Sequence, residues 1–183
     1  MGYLLTGLIL WSLGHLLPRV NPGLEARAGK GLFKLSIAVP IALGLLLIIL
    51  GFRAAPYVAV WTPPSWAIHL NNLMMLGAVT LFGMGKSKGR ARSWLRHPML
   101  TGVIVWALAH LLVNGDLAAI LLFGGMLVWA VVEIVVINAT SPAWVRPAPG
   151  PVSGDLRLLA IGLVLFGVIV AVHTWLGYPP FPG

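Results

Sequence analysis

Two histidines occupy the same position in two closely similar peptides of this sequence. Residues 5–17 read LTGLILWSLGHLL and residues 100–112 read LTGVIVWALAHLL, and nine of the thirteen positions are identical. Leucine matches are common between apolar segments, but a threonine, a glycine, a tryptophan and a histidine in register are not. Because a neutral imidazole is a good metal ligand, His15 and His110 suggest that the two peptides serve one shared ligand.

A tryptophan precedes each of these histidines by four residues: Trp11 before His15, and Trp106 before His110. Residues four apart lie on the same face of a helix, so we expect each indole to lie beside its imidazole. The chain has no cysteine, and two neutral imidazoles suffice to bind a haem iron from opposite faces. The competing interpretation is structural, with each imidazole hydrogen-bonded to a neighbouring helix.

Glu133 is the one acidic residue within a predicted apolar segment. An unpaired carboxylate is costly in such surroundings, so we expect an ion pair with Arg19, Arg96 or His97. That pair either ties helices together or belongs to a polar pocket that faces the cytoplasm, built from Arg96, His97 and Glu133.

Other polar residues give weaker signals. Two aspartates are expected in turns or as helix caps, and two histidines in a separate polar cluster with neighbouring asparagines. These residues are Asp116 and Asp155, His69 and His173, and Asn71 or Asn72.

The composition defines the environment of these residues. Of the 183 residues, 59% are hydrophobic and 9% are charged, whereas a soluble domain carries about 25% charged residues. Four acidic residues cannot form the mixed-charge surface of a soluble protein. A soluble enzyme, a disordered chain and a disulfide scaffold are therefore excluded, and an integral membrane protein is predicted. The net charge of +8 matters less than the positions of the basic residues along the chain, and no nucleic-acid partner is expected.

Six apolar segments are long enough, or nearly so, to cross a hydrocarbon core, which takes about 20 helical residues. We therefore predict an all-α, polytopic fold with six transmembrane helices, forming a single domain over residues 1–183. Pro98 fits the first turn of the fourth helix, where no N–H is needed. The predicted helices are about 2–18, 32–51, 66–84, 97–113, 117–137 and 157–176.

The basic residues give this arrangement an orientation. Of the twelve lysines and arginines, eleven fall in or beside the first, third and fifth connections, and only Arg53 falls elsewhere. The positive-inside rule then places these connections in the cytoplasm and both termini on the other side. The eleven residues are Arg19, Arg27, Lys30, Lys34, Lys86, Lys88, Arg90, Arg92, Arg96, Arg146 and Arg157.

Under this topology the two similar peptides cross the membrane in opposite directions. Three helices followed by three then form a 3+3 inverted repeat, and the sites of such folds lie near the midplane between the repeats. Each histidine lies roughly 18–20 Å along its helix, at about 1.5 Å per residue, and therefore near the middle of a core of about 30 Å.

Three stretches of the chain resemble a known family. They are RHPM at 96–99, WALAHLLVNGD at 106–116 and GHLLPR at 14–19. On these residues the chain resembles the NnrU family of bacterial membrane proteins over most of its length. That family is associated with nitrite and nitric oxide reduction in denitrifying bacteria. The resemblance implies a multi-pass protein of the bacterial inner membrane, so that both termini are periplasmic.

The plant zeta-carotene isomerase is similar to this family, and it uses a non-covalent haem b with histidine axial ligands to isomerise a cis double bond in a polyene. The resemblance therefore implies a bis-histidine haem b, and a haem-dependent isomerase acting on an apolar polyene is one activity it suggests. By motif, the iron ligands implied are His15 and His110. Under this hypothesis we expect Trp11 and Trp106 to pack around the macrocycle. We expect Arg19, one turn beyond His15, and Arg96 to pair with the propionates.

Two other interpretations stay open. The RHP element at 96–98, followed by Thr101 and Gly102, also resembles isoprenylcysteine and phospholipid methyltransferases, which use S-adenosylmethionine. Those enzymes carry an acidic pair, whereas this chain has Glu133 alone. The link to denitrification also fits a non-enzymatic assembly or stability factor for a respiratory reductase.

Overall fold

The computed structural model describes residues 1–21 and 23–181, and within them the fold is all-α. No strand is formed in these residues, apart from one isolated β-bridge between Ala59 and Asp116. A short 3₁₀ helix, Ala91–Ser93, precedes the fifth α-helix. The described α-helices are α1 (Gly2–Val20), α2 (Leu24–Ala28), α3 (Lys30–Arg53), α4 (Ala67–Met84), α5 (Pro98–Val113), α6 (Leu117–Thr140) and α7 (Val152–Trp175).

Each of the six predicted segments is a helix, with bounds shifted by a few residues. Pro98 is the first residue of α5, as its missing N–H predicts. The largest shift is at α7, which begins five residues before the predicted start, after an extended Pro151. The five-residue α2 was not predicted. Gly29 follows its last residue as the C-cap, with a positive φ of 75° that favours glycine.

By length and composition, four of the described helices can cross a bilayer: α3, α4, α6 and α7. The apolar α5 has 16 residues and is shorter than the roughly 20 that a straight crossing takes. Most of α3 and α7 is exposed, and the side chains they expose are largely leucine, valine and isoleucine. A surface of this kind requires an apolar solvent, so the chain is a helical membrane protein.

The described residues form two compact units, each with its own helix contacts. Unit 1 comprises Met1–Thr62 and Asn114–Pro142, and therefore contains α1, α2, α3 and α6. Unit 2 comprises Pro63–Val113 and Ala143–Gly183, and contains α4, α5 and α7. The units interleave along the sequence, so they do not match the predicted 3+3 division into the first three and last three spans.

Unit 1 is built on close contact between α1 and α3. A Cβ added at Gly7 would lie 2.7 Å from the backbone oxygen of Gly44, and one at Gly44 would lie 2.8 Å from the backbone nitrogen of Trp11. Small residues allow backbones to approach in this way, which is a common mode of helix packing in membranes. The adjoining core contains Leu4, Leu8, Ile48 and Ala118.

The start of α6 is also fixed within unit 1. The carboxylate of Asp116 accepts a hydrogen bond from the backbone N–H of Ala119, which confirms that Asp116 is a helix cap. The preceding Gly115 carbonyl accepts from the backbone N–H groups of Val60 and Trp61. These bonds anchor the 58–61 segment at the N-terminus of α6.

Unit 2 is built around α4, which contacts both α5 and α7. A Cβ at Gly102 would lie 3.2 Å from the carbonyl oxygen of Ala78, so α5 packs on α4 through the glycine equivalent to Gly7 in the repeat. Asp155 lies in the first turn of α7, and its carboxylate accepts from the backbone N–H groups of Arg90 and Ala91. It is a cap, as predicted, but it caps the 3₁₀ helix instead of its own.

Candidate functional site

In unit 1, His15 is held by its own helix and by two indoles. Its Nδ1 lies 2.8 Å from the carbonyl oxygen of Trp11. Its ring centroid is 4.5 Å from that of Trp11 and 5.0 Å from that of Trp129, which meets it edge-on from α6. The ring contact with Trp11 confirms the expected shared helix face. The contact with Trp129 was not predicted, since Trp129 lies in a distant segment that shares no motif with α1.

The hydrogen bond between Nδ1 of His15 and the carbonyl oxygen of Trp11 fixes the tautomer of a neutral His15 ring. A carbonyl oxygen only accepts, so Nδ1 carries the proton and donates it to Trp11. The lone pair of the neutral ring is then on Nε2. Metal-binding histidines commonly use this arrangement, in which one ring nitrogen donates to a carbonyl and the other binds the metal.

In unit 2, His110 repeats the geometry of His15. Its Nδ1 lies 2.9 Å from the carbonyl oxygen of Trp106, and the two ring centroids are 5.2 Å apart. The same reasoning assigns the proton to Nδ1 and the lone pair of a neutral ring to Nε2. The sequence repeat is therefore also a repeat of side-chain conformation.

A third histidine shares part of this arrangement. The Nδ1 of His173 lies 2.8 Å from the carbonyl oxygen of Ile169 on α7, and His173 is close enough to His110 to interact with it electrostatically. No tryptophan stands four residues before His173, so the motif that selects His15 and His110 could not select it.

The asparagines expected near His173 serve another contact. The Asn71 amide donates to the Asn72 side-chain oxygen at 3.0 Å, and the Asn72 amide donates to the carbonyl of Pro180 at 2.9 Å. They hold the segment after α7 against α4. His69 is exposed on α4.

Glu133 forms the ion pair predicted for it, and its partner is Arg19. The Nε of Arg19 lies 3.4 Å from Oε1 of Glu133. Glu133 is only 4% exposed, whereas nearly half of the Arg19 side chain is exposed. Among the described residues, Oε2 of Glu133 has no hydrogen-bond partner.

The other members of the predicted cytoplasmic pocket, Arg96 and His97, lie in unit 2. His97 immediately precedes α5, and its carbonyl oxygen accepts from the backbone N–H and the hydroxyl of Thr101, at 2.9 Å each. His97 therefore holds the first turn of α5 through its backbone.

The donor set restricts the kind of metal centre that these residues could form. No group of three or more His, Cys, Asp or Glu side chains in the described residues could hold a metal ion. A bare zinc site takes three or four protein ligands, whereas a haem iron takes one or two from the protein. One histidine beside an aromatic ring in each unit therefore fits a haem better than a bare ion.

Apolar helices long enough to span a bilayer, with polar side chains at a few interior positions, define a helical membrane protein. The family model described as NnrU protein matches residues 3–180, nearly the whole chain. The chain therefore belongs to the NnrU family. No curated protein and no solved structure matches it.

Proposed function

We propose that this NnrU protein is a membrane haem b protein in which His15 and His110 would hold the iron. One observation carries the proposal. Both imidazoles donate from Nδ1 to the carbonyl four residues back, where a tryptophan stands, so both have the tautomer with its lone pair on Nε2. Neither cysteine nor a multi-residue metal cluster is required.

The surroundings of each histidine support a large aromatic cofactor. In unit 1 the indoles of Trp11 and Trp129 flank His15, and in unit 2 Trp106 lies beside His110. These rings can pack against a macrocycle. Arg96 would supply positive charge for one propionate, and the exposed part of the Arg19 guanidinium, whose Nε pairs with Glu133, would donate hydrogen bonds to the other. When bound, the haem would supply a one-electron redox couple.

The membrane topology belongs to the same proposal. We propose six spans, formed by α1, α3, α4, α5, α6 and α7, in the bacterial inner membrane with both termini in the periplasm. The support is that all six predicted segments are helical and that eleven of the twelve basic residues fall in or beside alternate connections. A short α5 can still cross with its ends in the interfacial region.

An apolar groove favours one activity among those that a haem could support. The groove lies between α1 and α6 in unit 1 and has a volume of about 640 Å³. Leucines and isoleucines line most of it, and Trp129, which contacts His15, forms part of its wall. Such a groove suits a long apolar molecule, so redox-gated isomerisation of a polyene is the activity we favour. Electron transfer in nitrite or nitric oxide metabolism and a non-enzymatic role with a respiratory reductase are the alternatives.

Methyl transfer has less support. That reaction would need a pocket of Arg96, His97 and Glu133, whereas the Glu133 carboxylate is paired with Arg19. The Nδ1 hydrogen bonds of His15 and His110 also have no role in it.

Visible spectra of the purified protein test the haem proposal. Protein from haem-replete cells should show a Soret band and, after reduction, the sharp bands of a six-coordinate haem b. His15→Ala and His110→Ala should each lose the pigment or change its ligation state, whereas His69→Ala and His97→Ala should keep the wild-type spectrum. A colourless wild-type preparation, or wild-type spectra in both ligand variants, would refute the proposal.

A further inference from the structure

Three buried polar atoms of unit 1 lack a hydrogen-bond partner among the described residues, and they occur in one place. They are Nε1 of Trp11, Nε1 of Trp129 and Oε2 of Glu133. Trp129 is 7% exposed and Glu133 is 4% exposed. Leaving such a group unsatisfied destabilises the fold, and a charged group more than a neutral one. Three such groups on the facing helices α1 and α6 therefore call for a common polar partner.

These atoms belong to a continuous column of side chains between α1 and α6. On α1, Trp11, His15 and Arg19 follow one another at intervals of four residues, and on α6 the same interval separates Trp129 from Glu133. The Trp129 ring centroid is 5.6 Å from that of Trp11 and 5.0 Å from that of His15. The ion pair of Arg19 and Glu133 closes the column. We call these five residues the polar column.

The polar column runs from an exposed end to the imidazole of His15. Arg19 stands at one end, with nearly half of its side chain exposed. His15 lies one helical turn further along α1, about 6 Å at 1.5 Å per residue. A small polar molecule entering beside Arg19 therefore has a short distance to cover.

The unpartnered atoms specify the chemistry of that molecule. The two indole N–H groups need an acceptor, and the carboxylate oxygen of Glu133 needs a donor. The charges of Arg19 and Glu133 balance, so the column selects neither a cation nor an anion. Water is neutral, donates and accepts, and requires two to four polar partners, which this column provides.

We propose that the polar column is a hydration site, in which water enters at the Arg19 end and bridges Oε2 of Glu133 to the indole N–H of Trp129. It brings solvent to His15 from one side of unit 1. The inference does not depend on haem binding.

Radiolytic hydroxyl-radical labelling of the protein in lipid nanodiscs tests this site, because radicals formed from a bound water oxidise the side chain beside it. Trp129 should be oxidised despite its burial, whereas Met75, which is 8% exposed, gives the background for a buried and intrinsically reactive side chain. Exposed Trp175 calibrates the dose within each sample. Glu133→Leu should reduce Trp129 oxidation several-fold, and Glu133→Gln should preserve it, since the amide oxygen still accepts a hydrogen bond.

Glu25→Leu, on the exposed α2, is the matched control and should change nothing. Oxidation of Trp129 no greater than that of Met75 in the wild type would overturn the proposal, as would unchanged oxidation in Glu133→Leu. If Glu133→Leu does not fold, the wild type and Glu133→Gln still decide the question. A colourless preparation would refute the haem proposal and leave this measurement unaffected.

Discussion

Glu133 and Arg19 stand 114 residues apart in the chain, yet Oε1 of one lies 3.4 Å from Nε of the other. The pair is unequal, since the carboxylate is buried and the guanidinium is half exposed. The two partners therefore depend on each other to different extents, because Arg19 can be hydrated without Glu133.

Removing either partner should reveal this inequality. Arg19→Gln leaves a buried carboxylate without its counter-charge, which costs about 3–5 kcal/mol in a fully buried pair and less here because Arg19 is half exposed. Glu133→Gln leaves only a hydrated arginine and should cost less. Thermal unfolding in nanodiscs measures both. An equal loss of thermal stability in the two variants would contradict the conclusion that Glu133 depends on the ion pair more than Arg19 does.

Glycines at the helix contacts of unit 1 should be intolerant of substitution. A Cβ at Gly7 meets the backbone of Gly44 at 2.7 Å, so Gly7→Ala should destabilise the protein by about 1–3 kcal/mol through overpacking. Gly124→Ala is the matched control, since its Cβ meets nothing within 4 Å, and it should be neutral or stabilising by up to about 1 kcal/mol. The unfolding midpoint of Gly7→Ala should fall, and that of Gly124→Ala should rise or stay unchanged.

Asp155 should control the order of the basic segment before α5. Asp155→Ala removes two acceptors for the backbone N–H groups of Arg90 and Ala91, and hydrogen bonds to a charged group are worth about 1.5–3 kcal/mol. We expect faster tryptic cleavage between residues 86 and 92. Asp155→Asn, which keeps one acceptor, should give an intermediate rate. An unchanged rate in Asp155→Ala would show that the carboxylate does not hold this segment.

Exogenous imidazole should replace the His15 side chain if it binds iron. His15→Gly removes the ring and leaves space beside Trp11 and Trp129. We expect the variant to lose the six-coordinate spectrum and to regain it when imidazole is added. His173→Gly, which removes a histidine with the same backbone hydrogen bond, should keep the wild-type spectrum throughout. Loss of six-coordination in His173→Gly alone would move the ligand assignment to that residue.

The cysteine-free sequence allows a direct measurement of topology. Thr62→Cys and Lys88→Cys each place a single thiol on an exposed connecting segment. A membrane-impermeant maleimide applied to intact spheroplasts should label Cys at position 62 and label position 88 only after lysis. The reverse pattern would invert the orientation, and labelling of both in intact spheroplasts would refute the single crossing by α4 between them.

The helices and the histidine motif could be predicted from the sequence because each depends on residues that are close together in the chain. Apolar length predicts a membrane helix directly, and spacing by four predicts that Trp11 and His15 share a face. The carboxylate of Asp116 could be predicted as a cap for the same reason, since it precedes an apolar run after Asn114 and Gly115.

The partners across helices were less accessible. Membrane helices are apolar on every face, so hydrophobic periodicity does not specify which helices pack together. For Glu133 the sequence offered three cations, and the packing of α1 on α6 selects Arg19. That packing also brings Trp129 to His15. It places α6 in unit 1 beside α1 and α3, although α4 and α5 come between them in the sequence.

The hydrogen bond from each imidazole to its own helix has a further consequence. The hydrogen bond that orients the ring lies within five consecutive residues, and His173 makes the same bond with an isoleucine in place of the tryptophan. Copying such a short peptide into a second helix transfers the ring orientation along with it. A protein with two similarly oriented imidazoles can thus arise by duplication of about one and a half helical turns. The same fragment can be transplanted into designed membrane helix bundles.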